Sequence, residues 1–310
     1  MNNHIKGTEE KVDLSIIIVS YNTRDLIGTC LDSIMSINDC GKEIFVVDNG
    51  SADGSAELIK KNYPSVYIII NEANRGFAAA NNQALKLSKG RYIFFLNPDA
   101  EFLPSTFQHM ISFMDQNPHV GLAGVKMINP DGTPQESFSQ QYPAQSETST
   151  ELIGLKGDLA WVLGASMVAR AALLKEIRGF NEDYFVYGED QDLCLKIRRM
   201  GYEIGYMDFA VVVHLGAQSE RNSAETDIWR KKTLAEFTFY YEHYLPKTIN
   251  RICRSYKLKA YWRIFTLMAL LPFSRDKQEI NAKLSKYQII CDIINDRRNI
   301  WELHHPPSRG

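Results

Sequence analysis

Apolar runs and polar breaks alternate along the first third of the chain. Residues 14–19 form a nearly unbroken apolar run, which predicts a buried strand ending at Ser20-Tyr21-Asn22. Over 26–37 the apolar positions Leu26, Ile27, Cys30, Leu31, Ile34 and Met35 fall on one helical face. The alternation then repeats. Strand 43–47 is closed by the polar loop Asp48 to Gly54, and helix 55–62 leads to strand 66–70. Helix 76–87 stops near Gly90, and strand 92–96 runs into Asn97-Pro98-Asp99. Helix 103–114 follows, with Pro104 near its start, where proline is tolerated. This pattern predicts an α/β fold with a mainly parallel central sheet and helices on both faces. Such sheets bind ligands outside the carboxyl ends of their strands, where Asp48 and Asp99 both fall. Asn-Gly and Pro-Asp are also ordinary turn chemistry, but two acidic loops at one sheet edge favour a site.

The second half is less regular. A strand over 120–127 precedes the turn Asn129-Pro130-Asp131-Gly132. Residues 138–155 are polar and weakly patterned, a long loop that can cover a ligand or lie as plain surface. Residues 159–169 are apolar, with Gly164 allowing close backbone approach. A short helix over 171–177 follows. Helix 190–200 carries Leu193, Ile197 and Met200 beside Lys196, Arg198 and Arg199, and Gly201 ends it. Strand 206–213 leads to His214, and after the polar stretch 218–227 a long helix runs through Tyr244. Beyond residue 246 a helical extension is expected. Its segment 261–273 is aromatic and apolar, preceded by Arg251, Arg254, Lys257 and Lys259. It is too short to span a bilayer; it can lie in a membrane surface or pack on the core or a partner subunit. The tail carries His304-His305-Pro306-Pro307 and reads as peripheral.

Composition narrows the choices. The 310 residues suit one large domain or two small ones, and 45% hydrophobic with 23% charged residues is a globular balance. A net charge of -2 argues against nucleic acid as the main partner. Five dispersed cysteines, with no metal-type spacing, read as reduced thiols of a cytoplasmic protein. The first eleven residues show no apolar signal core, and no run reaches 18 apolar residues.

The richest chemistry lies in Val186 to Cys194, where Glu189, Asp190 and Asp192 fall within four residues of an aromatic and aliphatic stretch. An apolar setting raises a carboxylate's pKa or demands a cation, and either outcome suits proton abstraction from an alcohol. An acidic helix start would explain one of the three, and Asp192 is expected to cap that helix.

These residues, in order, closely resemble the inverting family 2 glycosyltransferases with the GT-A fold. The resemblance covers residues 12–245 through Val19-Ser20-Tyr21-Asn22, Val46 to Ser51, Asn74-Arg75-Gly76-Phe77, Asn97-Pro98-Asp99, Trp161 to Ala165 and Gly188 to Leu193. Its subgroup looks like bacterial rhamnosyltransferase-like enzymes of cell-surface polysaccharide synthesis. The resemblance implies a nucleotide-binding half over 12–115, an acceptor-binding and catalytic half over 116–245, and a mostly helical extension over 246–310. It implies that Ser20 and Tyr21 hold the base and that Asp48 accepts from the ring imide of uracil or thymine, since an ionised carboxylate is only an acceptor. The family's Asp-X-Asp motif departs here to Asn97-Pro98-Asp99. Asp99 carries over as the metal-facing residue for Mg²⁺ or Mn²⁺, while Asn97 supplies less charge. His214 resembles a family histidine near that metal, though a strand-end histidine can also be structural. Asp190 carries over as general base, with Glu189 positioning the acceptor or sharing that role. Arg75 reads as a phosphate or sugar contact or a surface arginine. Gly164 and Trp161 read as shaping the donor or acceptor pocket, with Trp161 as plain core the alternative.

The implied function is transfer of a sugar, best matched by L-rhamnose from dTDP-rhamnose, to a glycan or polyprenyl-linked acceptor. The implied location is cytoplasmic, peripheral on the inner membrane face, with a homodimer open. UDP-dependent glucosyl, galactosyl or N-acetylglucosaminyl transfer would use the same loops. A nucleotidyltransferase fits less well, because Ser20 to Gly28 lacks a glycine-rich phosphate loop. A non-catalytic nucleotide- or glycan-binding relative is raised by Asn97 and opposed by Asp48, Asp99 and Asp190.

Overall fold

A computed structural model describes residues 12–103, 107–148, 150–216 and 224–296. Pro104, residues 218–223 and the histidine-proline tail lie outside them. The first unit follows the predicted alternation: β1 (Leu14–Ser20), α1 (Arg24–Met35), β2 (Lys42–Asp48), α2 (Ser55–Asn62), β3 (Tyr67–Ile70), α3 (Phe77–Leu85) and β4 (Tyr92–Leu96). All seven residues of β1 are buried, which explains its unbroken apolar run. Then come β5 (Ala100–Phe102), α4 (Phe107–Gln116), β6 (Val120–Ile128), β7 (Pro134–Gln135), β8 (Phe138–Ser139), β9 (Trp161–Val162), β10 (Ser166–Arg170) and α5 (Ala171–Glu176). The chain continues through α6 (Glu189–Arg199), β11 (Glu203–His214), α7 (Glu225–His243), α8 (Pro246–Leu270) and α9 (Lys277–Asn295).

Among the described residues the main sheet runs β3-β2-β1-β4-β10-β6-β11-β5, with β7 on β6. The first four strands are parallel, as is β11 on β6, but β10 lies antiparallel between β4 and β6. With β5 and β7 also antiparallel, the sheet is mixed, which corrects the mainly parallel expectation. A parallel neighbour needs a crossover that returns the chain to the opposite edge. After β9 the chain instead turns at once through Leu163 to Ala165, where Asn97 N–H donates to the Ala165 carbonyl at 2.9 Å. β10 therefore starts where β4 ends and runs back.

Two cores sandwich the sheet. Alternate β1 residues Ile16 and Ile18 face α1 and α4, including Ile27, Leu31, Phe107 and Met110. Ile17 and Val19 face Ala80 and Ala84 of α3, with Leu174 of α5 and Leu193 of α6 in the same cluster. A third, aromatic cluster joins α7 to α8 and α9 through Phe237, Phe239, Tyr240, Ile252 and Ile293, and touches α6 through Leu195.

The loop over 138–155 contributes Tyr142, Ala144, Leu152 and Leu155 to that third cluster. Tyr142 stacks on Phe239 at 5.7 Å, and its hydroxyl donates to the Ala160 carbonyl at 2.6 Å. Tyr244 donates to the Pro143 carbonyl at 2.6 Å. The loop's polar composition hid these few aromatic anchors. The five cysteines are free.

Candidate active site

Ser20 pairs with Asp48 in the β1–β2 register, so the first two strands end level. β4 lies on the other flank of β1, with Ile18 opposite Leu96. The ends of β2 and β4 are therefore roughly 10 Å apart across two strand spacings.

The β1 and β2 ends are knitted by hydrogen bonds. Asn22 donates its backbone N–H to Ser51 Oγ and accepts from Ala52 N–H, both at 2.9 Å. The buried Ser20 hydroxyl is engaged with Thr23 Oγ1 at 2.7 Å, and Tyr21 beside it is half-buried. Asp48 is buried; its Oδ1 accepts from Ser51 N–H at 2.9 Å, and its Oδ2 has no partner. Asn49 organises the next loop. Its Oδ1 accepts from Asn71 Nδ2 and Arg75 N–H, each at 3.0 Å, and its Nδ2 donates to Asn74 Oδ1 at 2.9 Å. The Arg75 side chain is exposed.

That loop docks on the acidic segment. Phe77 N–H donates to the Phe185 carbonyl at 2.8 Å. Gly76 has φ +84°, and a Cβ there would meet Phe185 O at 2.6 Å, so glycine is required on both counts. Asn82 of α3 clamps the same segment from Phe180 N–H, accepted at 2.9 Å, and to Phe180 O, donated at 2.9 Å.

Tyr187 (φ +70°) and Gly188 (φ +80°) form a left-handed turn that opens α6 with Glu189 and Asp190 in its first turn. A tyrosine in that region stores strain, which persists only where surroundings impose it. The turn, the end of β4, the Leu163–Ala165 turn and the end of β11 surround one cavity of about 540 Å³. Asn97, Asp99, Trp161, Gly164, Glu189, Asp190 and His214 all line it. Asp99 and Asp190, 91 positions apart in the chain, thus face one cleft. Ser20, Tyr21, Asp48 and Arg75 are not among its lining residues; Ser20 and Asp48 belong to the neighbouring strand ends.

Both Asp190 oxygens accept backbone donors, Oδ2 from Gly164 N–H at 3.0 Å and Oδ1 from Gln191 N–H at 2.8 Å. Burial raises its pKa, and these donors oppose the rise without cancelling it. Glu189 has less such help: its own backbone N–H acts to lower its pKa, but its Oε2 is buried and unpartnered. Burial, and then the charge of Asp190, push its carboxyl up to about 8. Asp192 departs from expectation. It is fully buried and makes no N-terminal cap; Oδ1 meets His243 Nε2 at 2.8 Å, and Lys196 Nζ lies 2.9 Å from Oδ2 as an ion pair. Arg199 Nη1 lies 2.8 Å from His243 Nδ1. Arginine only donates, so Nδ1 accepts and Nε2 carries the proton given to Asp192. Asp192 therefore pins α6 to α7, a role decided by a residue 51 positions away.

At the opposite wall His214 Nδ1 lies 2.8 Å from Gln135 Oε1, and Nε2 lies 3.3 Å from Asp99 Oδ1. With Gln135 Oε1 accepting, Nδ1 donates and Nε2 is turned toward the Asp99 carboxylate. Asn97 Nδ2 lies 3.4 Å from the same nitrogen. A carboxylate and an imidazole held by an outer partner fit a divalent cation. No group of three His, Cys, Asp or Glu side chains suited to a metal occurs among the described residues, so further ligands would have to come from substrate or water.

The cleft also contains residues that the sequence did not single out. Lys232, Ala235 and Glu236 reach it from α7, and Lys232 Nζ sits 5.0 Å over the Tyr187 ring. Burial raises the Glu236 carboxyl. Nothing local marks these positions; only packing of α7 against α6 brings them in. Trp161 is half-buried in the wall and donates Nε1–H to the Gln141 carbonyl at 3.1 Å.

The fold is shared with solved structures. Staphylococcus aureus TarS residues 1–349, solved with UDP, aligns with a TM-score of 0.52 at 18% identity over 93% of this chain and 92% of that one. The mannosyltransferase PcManGT from Pyrobaculum calidifontis, solved with GDP-Man and Mn²⁺, aligns at 0.56 and 17% identity over 95% and 88%. This is the GT-A type of α/β architecture. Residues 15–178 match the family model Glycosyl transferase family 2, more than half of the chain, and the chain belongs to that family of glycosyltransferases. Among curated relatives, a poly(ribitol-phosphate) beta-glucosyltransferase of Bacillus spizizenii is 31% identical over 62% of this chain, which spans 31% of that relative's length. An N-acetylglucosaminyl-diphospho-decaprenol L-rhamnosyltransferase of Mycobacterium tuberculosis is 23% identical over 66% of this chain and 77% of its own.

Proposed function

We propose that the chain transfers a sugar from a nucleoside-diphosphate sugar to a glycan or polyprenyl-linked acceptor, inverting the anomeric carbon. The observation that carries this reading is the common cleft of Asp190 and the Asp99–His214 pair. The acceptor hydroxyl oxygen attacks C1 from the face opposite the diphosphate. Its proton passes to Asp190 as the C1–O bond to the leaving group breaks and nucleoside diphosphate departs. Burial strengthens Asp190 as a base, and its two N–H donors fix its orientation. Glu189, protonated at neutral pH, acts as a hydrogen-bond donor that positions the acceptor and leaves the base role to Asp190. Lys232 offers positive charge to the diphosphate from α7.

Asp99 and His214 would hold Mg²⁺ or Mn²⁺, with Asn97 beside them. When bound, the metal would offset negative charge on the departing diphosphate. The solved relative with GDP-Man and Mn²⁺ supports a divalent metal. Asp48, buried with one free oxygen beside Ser20 and Tyr21, is the residue for the base imide. Arg75 is the exposed candidate for phosphate or sugar, and Gly164 with Trp161 shapes the wall.

The donor we favour is dTDP-L-rhamnose, a choice that rests on the mycobacterial rhamnosyltransferase among the relatives. UDP-glucose or UDP-N-acetylglucosamine is the second reading, supported by the Bacillus glucosyltransferase and by the TarS structure with UDP-GlcNAc. A polyprenyl-linked acceptor would place the work at the inner face of the cytoplasmic membrane. The test is nucleoside diphosphate release from dTDP-, UDP- and GDP-sugars, with and without Mn²⁺. Release from a dTDP- or UDP-sugar that EDTA abolishes is expected. Preference for a GDP-sugar would overturn the role of Asp48, and undiminished release in EDTA would overturn the metal assignment.

A further inference from the structure

α8 contains six basic residues, Lys247, Arg251, Arg254, Lys257, Lys259 and Arg263, and no acidic one, in a chain whose net charge is -2. Its buried side, Ile249, Ile252, Cys253, Ala260 and Leu267, lies inward. The outward stripe recurs every three or four residues and changes character along its length. It opens with the exposed Lys247, Arg251 and Arg254 and continues through Leu258, Tyr261, Trp262, Phe265 and Met268. Trp262 is 64% exposed, Phe265 67%, and Phe273, in the turn beyond the helix, 85%. Trp262 and Phe265 lie with ring centroids 6.3 Å apart, facing away from the protein. Lys247, Asn250, Arg251 and Arg254 also line an open groove of about 540 Å³, in which Arg251 holds Glu147 at 3.0 Å. No helix among the described residues is long and apolar enough to cross a membrane.

We infer that this face of α8, with Phe273, docks on an anionic lipid bilayer. Aromatic and aliphatic side chains next to cations are what a headgroup boundary accepts: rings enter the acyl edge while lysine and arginine meet phosphates. The helix is roughly 37 Å long at 1.5 Å per residue, so its cationic and apolar thirds can engage side by side on one surface. A parallel two-fold contact between copies through this stripe would set Lys247, Arg251 and Arg254 against the same three cations with no acid on either helix, and like-charge juxtaposition opposes it. The inference stands apart from the transfer reaction, because binding is read without substrate.

The experiment is flotation of the full chain with vesicles of phosphatidylcholine alone and of phosphatidylcholine with phosphatidylglycerol at about 7:3. Binding to the anionic vesicles is expected, weakening as salt rises from about 0.1 to about 0.5 M because exposed charges are screened. The double variant Trp262→Ser/Phe265→Ser should lower that partitioning about tenfold or more, since it removes two rings from the acyl boundary. Its melting temperature should not fall, as both side chains are exposed. Lys247→Glu/Arg254→Glu should also weaken binding to anionic vesicles. The inference is overturned if the native chain stays free of anionic vesicles, or if the ring variant floats as the native chain does. It is equally overturned if the native chain is a dimer that the ring variant dissociates while neither form binds vesicles.

Discussion

Asp53, in the loop after β2, and Glu189, in the first turn of α6, are acidic residues whose environments drive them in opposite directions. Burial acts to raise Asp53, but the Ser55 hydroxyl at 2.5 Å and the backbone N–H groups of Arg24 and Ser55 outweigh it, and its carboxyl is held below the usual value. Glu189 is wholly enclosed, one of its oxygens has no donor, and burial wins. Asp190 stands between them, buried but given two N–H donors. The number of donors aimed at a carboxylate thus separates one held ionised to tie two loops together from one that burial keeps protonated.

The largest expected effect comes from Asp190. Asp190→Asn keeps one of the two acceptors that Gly164 and Gln191 use, sets an NH₂ against the other N–H, and cannot take a proton, so turnover should fall about a thousandfold. Nucleotide binding, read by thermal shift, should persist; retained turnover would remove Asp190 from the chemistry. Next is Asp192, buried in the same helix yet structural. Asp192→Ala should cost about 3 kcal/mol in denaturant unfolding, because it leaves the buried His243 N–H and Lys196 without their carboxylate. An unfolding midpoint like the native one would break the contrast between the two aspartates. Gly76→Ala should cost about 2 kcal/mol through its left-handed backbone and the clash with Phe185 O, measured the same way.

The smallest effect concerns Glu189. Burial pushes its carboxyl up to about 8 in the fold, above the ordinary glutamate value of 4.5. Between those values the folded state binds more protons than the unfolded, so the contribution is complete below about 4.5 and is lost as pH rises through about 8. Glu189→Gln should therefore flatten the fall in melting temperature between these limits. Turnover at pH 7 should stay within about tenfold of native, while the decline above pH 8 disappears. A variant with the native pH profile would show that Glu189 does not titrate there.

Of the first four strands, β1, β2 and β4 were legible because a strand buried on both faces must be apolar throughout, and the three helices because a helix packed on one face must repeat every three or four residues; the edge strand β3 was legible from its apolar run Tyr67 to Ile70 alone. Val19-Ser20-Tyr21-Asn22, Asn97-Pro98-Asp99 and Gly188-Glu189-Asp190 were legible because their polar residues interrupt such runs. The direction of β10 was not, since strand periodicity is the same in either sense and only the short Leu163–Ala165 turn fixes it. The anchoring role of Asp192 was equally hidden, because its partner His243 belongs to another helix. Lys232 and Glu236 carried no local signal, for their meaning comes from α7 lying against the cleft.

By itself, then, the sequence determined the strands and helices of the first unit and the carboxylates at the ends of its strands, because those follow from local burial and turn chemistry. Tertiary structure alone decided which carboxylates share a cavity, which one is spent on packing, and which face of α8 is left outward. Those outcomes depend on pairings between residues far apart in the chain, and no local pattern records them.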